Sequence, residues 1–148
     1  MYSIPLRLAL GFSAAALAHV VFQGALGALF YAAGTVPELV WSLDPTGPLA
    51  VPATLNNMFW DGLWGMIYAL AEPRLSARLG RAGGGIALGL ASLSVFWLVV
   101  LPLKGLGIGG GLPAADLAID LAFDLTFGLG TALLFWAGLR LTSARAGA

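Results

Sequence analysis

Cysteine is absent from the 148 residues and histidine occurs once. Disulfides, thiolate metal sites and cysteine nucleophiles are thereby excluded, and a His-rich zinc or haem site within one chain has too few imidazoles. Charge is scarce too. Asp, Glu, Lys and Arg make up 9% of the chain, against about 25% in soluble domains, too few to cover a water-facing surface. Seven basic residues balance seven acidic ones, and without a basic excess nucleic acid is not an expected partner. Coiled-coil heptads, internal repeats and a separable soluble domain are also missing.

What is present is apolar: 59% of the residues are hydrophobic and the mean hydropathy is +0.92. Crossing about 30 Å of hydrocarbon takes about 20 largely apolar residues. Four segments qualify, at about 8–33, 52–71, 84–103 and 114–139. Pro5 suits a helix start and Gly34 a stop, while Pro52 opens the second segment and Glu72-Pro73 follows it. Unpaired backbone groups are not tolerated in lipid, so helices are required. The runs are also too long and continuous for the alternating strands of an outer-membrane barrel. The expected fold is an all-α, four-helix transmembrane bundle in one domain. External loops cover 34–51 and 104–113, and a cytoplasmic loop covers 72–83. Arg7 before an apolar run suggests a signal peptide, but the run passes His19 and reaches Ala33. That exceeds the apolar core of about 7–15 residues that such peptides carry, so it reads as a retained span.

Orientation follows from the basic residues. Arg7, Arg74, Arg78, Arg81, Arg140 and Arg145 fall on one side of these spans, and Lys104 alone on the other. The positive-inside rule then places both termini in the cytoplasm. In the loop 34–51, Pro37, Pro45 and Pro48 favour turns over helix, and Tyr31 and Trp41 suit the outer interface. Loop 104–113 is glycine-rich but lacks the Gly-Lys-Ser/Thr ending of a phosphate cradle, and reads as a flexible connector.

Polar side chains inside the spans are the informative feature. Asp116, Asp120 and Asp124 recur at i, i+4 and i+8 in the last span, followed by Gly128 and Ala132. Asn57, Asp61 and Gly65 recur likewise in the second span, and His19, Gln23 and Gly27 in the first. That spacing stacks residues on one helix face, and polar-then-small stripes suit faces turned toward one another. Counting at 1.5 Å per residue puts Asp61, Asp124 and Gln23 each about 15 Å deep. His19 falls one turn further inward, Asn57 and Asp120 one turn further out, and Asp116 near the surface. An ionised aspartate at a helix centre costs about 2.5–3.5 kcal/mol, and no Lys or Arg lies at that depth. The acids must therefore be protonated, hydrated from outside or matched by a bound cation. They read either as hydrogen-bonding ties between helices or as a proton or cation site at the foot of an outward-facing acidic vestibule. A metal-dependent catalytic site would need a nucleophile that the pattern lacks.

Trp60, Trp64 and Tyr68 form a second stripe on the same span, read as packing or lipid contact, with a groove for a lipid tail or quinone as the functional version. Trp97 and Trp136 read as interfacial belt residues. The third span has only Ser92 and Ser94 as polar atoms between Arg81 and Lys104, and could face lipid or a partner subunit.

The stretch Pro52-Ala-Thr-Leu-Asn-Asn-Met-Phe-Trp-Asp-Gly-Leu-Trp-Gly65 resembles a motif of small four-span bacterial inner-membrane proteins of unassigned function. In these a proline-rich loop leads into an FW-x-G-L-W-G second helix. His19 and Gln23 are similar to a His-Gln pair in the first helix of that pattern, and Asp61 stands where it has glycine. The resemblance covers roughly the first half of the chain and implies topology and location but no activity. Four-span multidrug transporters rest on a glutamate in the first span, which here has no acid.

The expected function is that of a non-enzymatic accessory or structural membrane protein without a cofactor. Its partners would be the lipid bilayer and either further copies of itself or other membrane subunits. The alternatives are a small proton- or cation-linked transporter using Asp61 and Asp124, approached through Asp120 and Asp116, and a lipid- or quinone-binding protein using Trp60, Trp64 and Tyr68.

Overall fold

A computed structural model describes residues 2–111 and 113–146; Leu112 of the glycine-rich loop and the side chain of Arg145 lie outside the described residues. Among them the architecture is helical, with three helices long and apolar enough to cross a membrane: α1 (Ile4–Ala32), α2 (Ala53–Leu103) and α3, whose membrane-length run is Ala114–Ala144.

Helix α1 opens with Pro5 in its first turn, where the missing N–H costs nothing. It ends as the glycine at 34 anticipates. Gly34 takes φ 71°, and the amides of Gly34 and Thr35 donate to the carbonyls of Tyr31 and Phe30, the paired closure of a Schellman motif. Gly105 repeats this at the end of α2, with the Gly105 and Leu106 amides donating to Pro102 and Leu101.

The second and third apolar segments are joined without the expected loop at 72–83: the chain is helical there except at Gly80, with φ 71° and ψ 173°. Only glycine adopts that conformation at low cost. A straight helix of this length would run to about 75 Å, but Gly80 folds it back. A Cβ on Gly84 would lie 3.5 Å from the Tyr68 hydroxyl, sixteen residues earlier and about 24 Å away along a straight helix. Helix α2 is thus a hairpin of two arms, 53–79 and 81–103.

Helix α2 also continues through Pro73, contrary to the expected end near Ala71. Proline has no N–H for the carbonyl four residues back, which is that of Ala69. Arg7 supplies the missing donors, Nε at 3.2 Å and Nη2 at 2.8 Å from the Ala69 oxygen. The same Nη2 lies 2.9 Å from Glu72 Oε2, and the guanidinium covers the Phe135 ring. Pro73 is tolerated within the helix because another helix completes its hydrogen bonding.

Small residues set the helix spacing. A Cβ on Gly11 would lie 2.7 Å from that of Ala69, and one on Gly85 only 2.6 Å from the Gly128 carbonyl oxygen. Gly11 and Gly65 cross α1 with the first arm, and Gly85 and Gly89 cross the second arm with α3, so the third apolar segment faces α3. Backbones approach this closely only where Cβ atoms are missing. The buried core between them contains Ala15, Ala18, Tyr68, Leu88, Phe127 and Phe135. Leu17, Val21, Phe59, Trp60, Ile67, Leu90 and Leu133 point outward, the apolar exterior that a bilayer demands.

Residues 33–52 fold back against the bundle. A two-residue antiparallel ladder pairs Pro45 with Pro52 and Thr46 with Val51. Thr54 Oγ1 donates to the Ser42 carbonyl and accepts from its amide, both at 2.8 Å. Those ties hold Val40 against Gly27 and Trp41 against Gly24. The prolines thus produce turns and extended chain, and Trp41 packs into α1 instead of lying only along an interface.

Candidate functional site

The site lies where α1 widens. Residues His19–Gln23 form a π-turn, in which the Gly24 amide reaches back to the His19 carbonyl and leaves that of Val20 without its usual partner. The Trp41 indole N–H fills the gap at 2.9 Å. The turn also sets His19 and Gln23 side by side. His19 Nδ1 lies 2.8 Å from Gln23 Oε1 and 2.9 Å from Asp61 Oδ2. Gln23 Nε2 donates to the Phe123 carbonyl at 3.3 Å, which fixes the amide so that its oxygen faces the imidazole. With an amide oxygen before it, Nδ1 is the nitrogen that carries a proton. Among the described residues, His19 Nε2 and Thr131 Oγ1 on α3 are buried without a hydrogen-bond partner.

Asp124 sits on α3 facing the second arm. Its Oδ1 lies 2.6 Å from Ser92 Oγ, which is also 2.9 Å from the Gly89 carbonyl. A hydroxyl has one proton and can donate to only one of these at a time. One turn outward, Trp97 Nε1 donates to Asp120 Oδ2 at 3.0 Å, from within a second π-turn at Phe96–Val100. Asp61 and Asp120 both stand within electrostatic range of Asp124. Asp116 is half-buried in the first turn of α3, where a helix dipole favours an acid.

The fold brings His19, Gln23 and Asp61 into contact, and Trp97 and Ser92 hold Asp120 and Asp124 where the second arm meets α3. Asn57 does not join: its side chain is exposed, although it shares a stripe with Asp61. Positions four apart on a helix drift by about 40°, which is enough to turn Asn57 out of the bundle. The same drift splits the aromatic stripe. Trp60 is exposed and Trp64 half-buried, whereas Tyr68 is buried edge-on against Phe135, so the three do not share one ligand-accessible face.

Sequence reasoning missed Ser92 as a partner of Asp124, Trp97 as a donor to Asp120, and the joint role of Arg7 and Glu72. The sole polar positions of an otherwise apolar segment were the available signal for Ser92. Trp136 is also more than a belt residue, since Arg81 and Arg140 both stack on it. Among the described residues no group of three or more His, Asp or Glu is arranged to hold a metal ion. Comparison with protein-family models, curated proteins and solved structures yields no match to this chain.

Proposed function

We propose that the chain is a non-enzymatic accessory or structural protein of a bacterial inner membrane, crossing it four times with both termini in the cytoplasm. The two arms of α2 would supply the middle two crossings, with the turn at Gly80 and its flanking arginines on the cytoplasmic side. The carrying observation is that each hydrogen-bonded side chain in the polar seam ties two helices together. His19 and Asp61 join α1 to the first arm, Gln23 joins α1 to the Phe123 carbonyl, and Ser92 and Trp97 join the second arm to α3. The acids would be held neutral or paired: Asp61 by His19, and Asp124 by a proton that lets Ser92 keep its bond to Gly89.

Asp124→Asn and Asp124→Leu test this. The amide keeps a polar partner for Ser92, so Asn leaves thermal stability in detergent almost unchanged, while Leu lowers it by about 1 kcal/mol, the scale of polar ties between membrane helices. Gentle extraction followed by identification of co-purifying subunits would name the partner.

A second reading, a proton- or cation-linked transporter, is favoured by the file Asp116–Asp120–Asp124–Asp61 ending at the unpartnered His19 Nε2. Loss of a pH- or cation-driven flux in Asp124→Asn vesicles, with the fold intact, would replace the structural reading by this one.

A further inference from the structure

At the Arg7 end of the bundle, on the outer surface between the second arm and α3, lies a groove of about 300 Å³ lined by Arg81, Ala82, Leu129, Ala132, Leu133 and Trp136. The Arg81 guanidinium lies 4.5 Å from the centre of the Trp136 ring and that of Arg140 lies 4.1 Å from it. Both arginines are exposed. Among the described residues neither has a carboxylate within ion-pair distance, since the one carboxylate paired with an arginine, Glu72, is held by Arg7. Two like charges are thus gathered on one aromatic ring, repelling each other with no carboxylate of the described residues between them. Below them Leu129 and Leu133, four residues apart on α3, present an apolar strip toward lipid.

We propose that this groove binds one anionic glycerophospholipid, its phosphate on Arg81 beside Trp136, with Arg140 on the same ring adding positive charge, and one acyl chain along Leu129 and Leu133. Guanidinium groups match phosphate oxygens in geometry as well as charge, and Trp136 sits at the depth where headgroup and chain meet. Basic pockets between helices at a membrane surface recognise headgroups in this way. The site needs only that the chain resides in a bilayer; the topology proposed above makes the leaflet the inner one. Lipid would bind here whether or not the polar seam is a set of helix ties, so failure of either idea leaves the other standing.

The test uses the full-length protein in nanodiscs containing brominated phosphatidylglycerol or brominated phosphatidylcholine, reading the fluorescence that Trp136→Phe removes. Phosphatidylglycerol is expected to quench that component at a roughly thirty-fold lower mole fraction than phosphatidylcholine, the scale set by two basic side chains at an anionic headgroup. In Arg81→Gln/Arg140→Gln the two lipids become equal, and Arg140→Gln alone removes part of the preference, serving as the readout if the double variant does not fold. Arg81→Lys/Arg140→Lys keeps the charge and retains part of it. Equal quenching by both lipids in the unsubstituted protein overturns the proposal. So does quenching by neither, which would mean that protein covers the groove. Displacement of the lipid by millimolar inorganic phosphate would show an anion site with no role for the acyl chain, and overturns it as well.

Discussion

Among the described residues, side chains complete two carbonyls that have lost their helical amide, and the two repairs differ. At Ala69 the cause is Pro73, and the replacement donor is a charged guanidinium that also holds Glu72 and covers Phe135. At Val20 the cause is a π-turn, and the replacement is a neutral indole N–H carried by a loop. The first repair sits near an end of α1, where a long cation can reach water. The second sits beside the polar seam, where a permanent charge would be costly to desolvate. The replacement donor matches its place in the bundle: arginine near the end, tryptophan beside the polar seam.

Breaking the charged repair should have the largest effect. Arg7→Met keeps the side-chain volume but strands the Ala69 carbonyl and the Glu72 carboxylate together. The expected loss is about 2 kcal/mol of stability, between the values for exposed and fully buried ion pairs, read from thermal unfolding in detergent. Pro73→Ala sharpens the point. Alanine restores an N–H to the Ala69 carbonyl, so Arg7→Met in that background should cost less by about 1 kcal/mol, one hydrogen bond. Strict additivity in the double-mutant cycle would mean that Arg7 acts on Glu72 alone.

The neutral repair should be weaker. Trp41→Phe retains the ring against Gly24 but removes the donor to Val20, and about 1 kcal/mol is expected. Hydrogen exchange should also quicken across 19–24, the segment whose widened turn the indole closes. Unchanged protection there would mean that the π-turn holds without its cap.

What could be read from the sequence follows the same division. The helix end at Gly34, the apolar spans and the shared face of His19 and Gln23 rest on turn chemistry, periodicity and rise per residue, which are properties of one helix at a time. The reversal between the second and third spans is legible, but the helical course through 72–83 is not, because Pro73 and the surrounding arginines read as a loop, while the atoms that make Pro73 tolerable come from Arg7, sixty-six residues earlier. Four-residue spacing reads Trp60, Trp64 and Tyr68 as one stripe, whereas its drift carries the Tyr68 ring inward to Phe135. Partner identity is a property of pairs of helices: Ser92 and Trp97 were visible as residues but not as donors to Asp124 and Asp120.

The smallest expected effect tests the seam itself. Ser92→Ala removes the hydroxyl between Asp124 and the Gly89 carbonyl. The carbonyl keeps its helical position, so the loss should be about 0.6 kcal/mol, typical of a hydrogen bond between membrane helices. The informative measurement is the carboxyl stretch in the infrared. A protonated Asp124 bonded to Ser92 should show a C=O band that moves to higher frequency in Ser92→Ala, because a free carboxyl has a stiffer carbonyl bond than a hydrogen-bonded one. An ionised Asp124 would show no such band in either protein, and the mid-depth acids would then have to be matched by water or a cation instead of by their own protons.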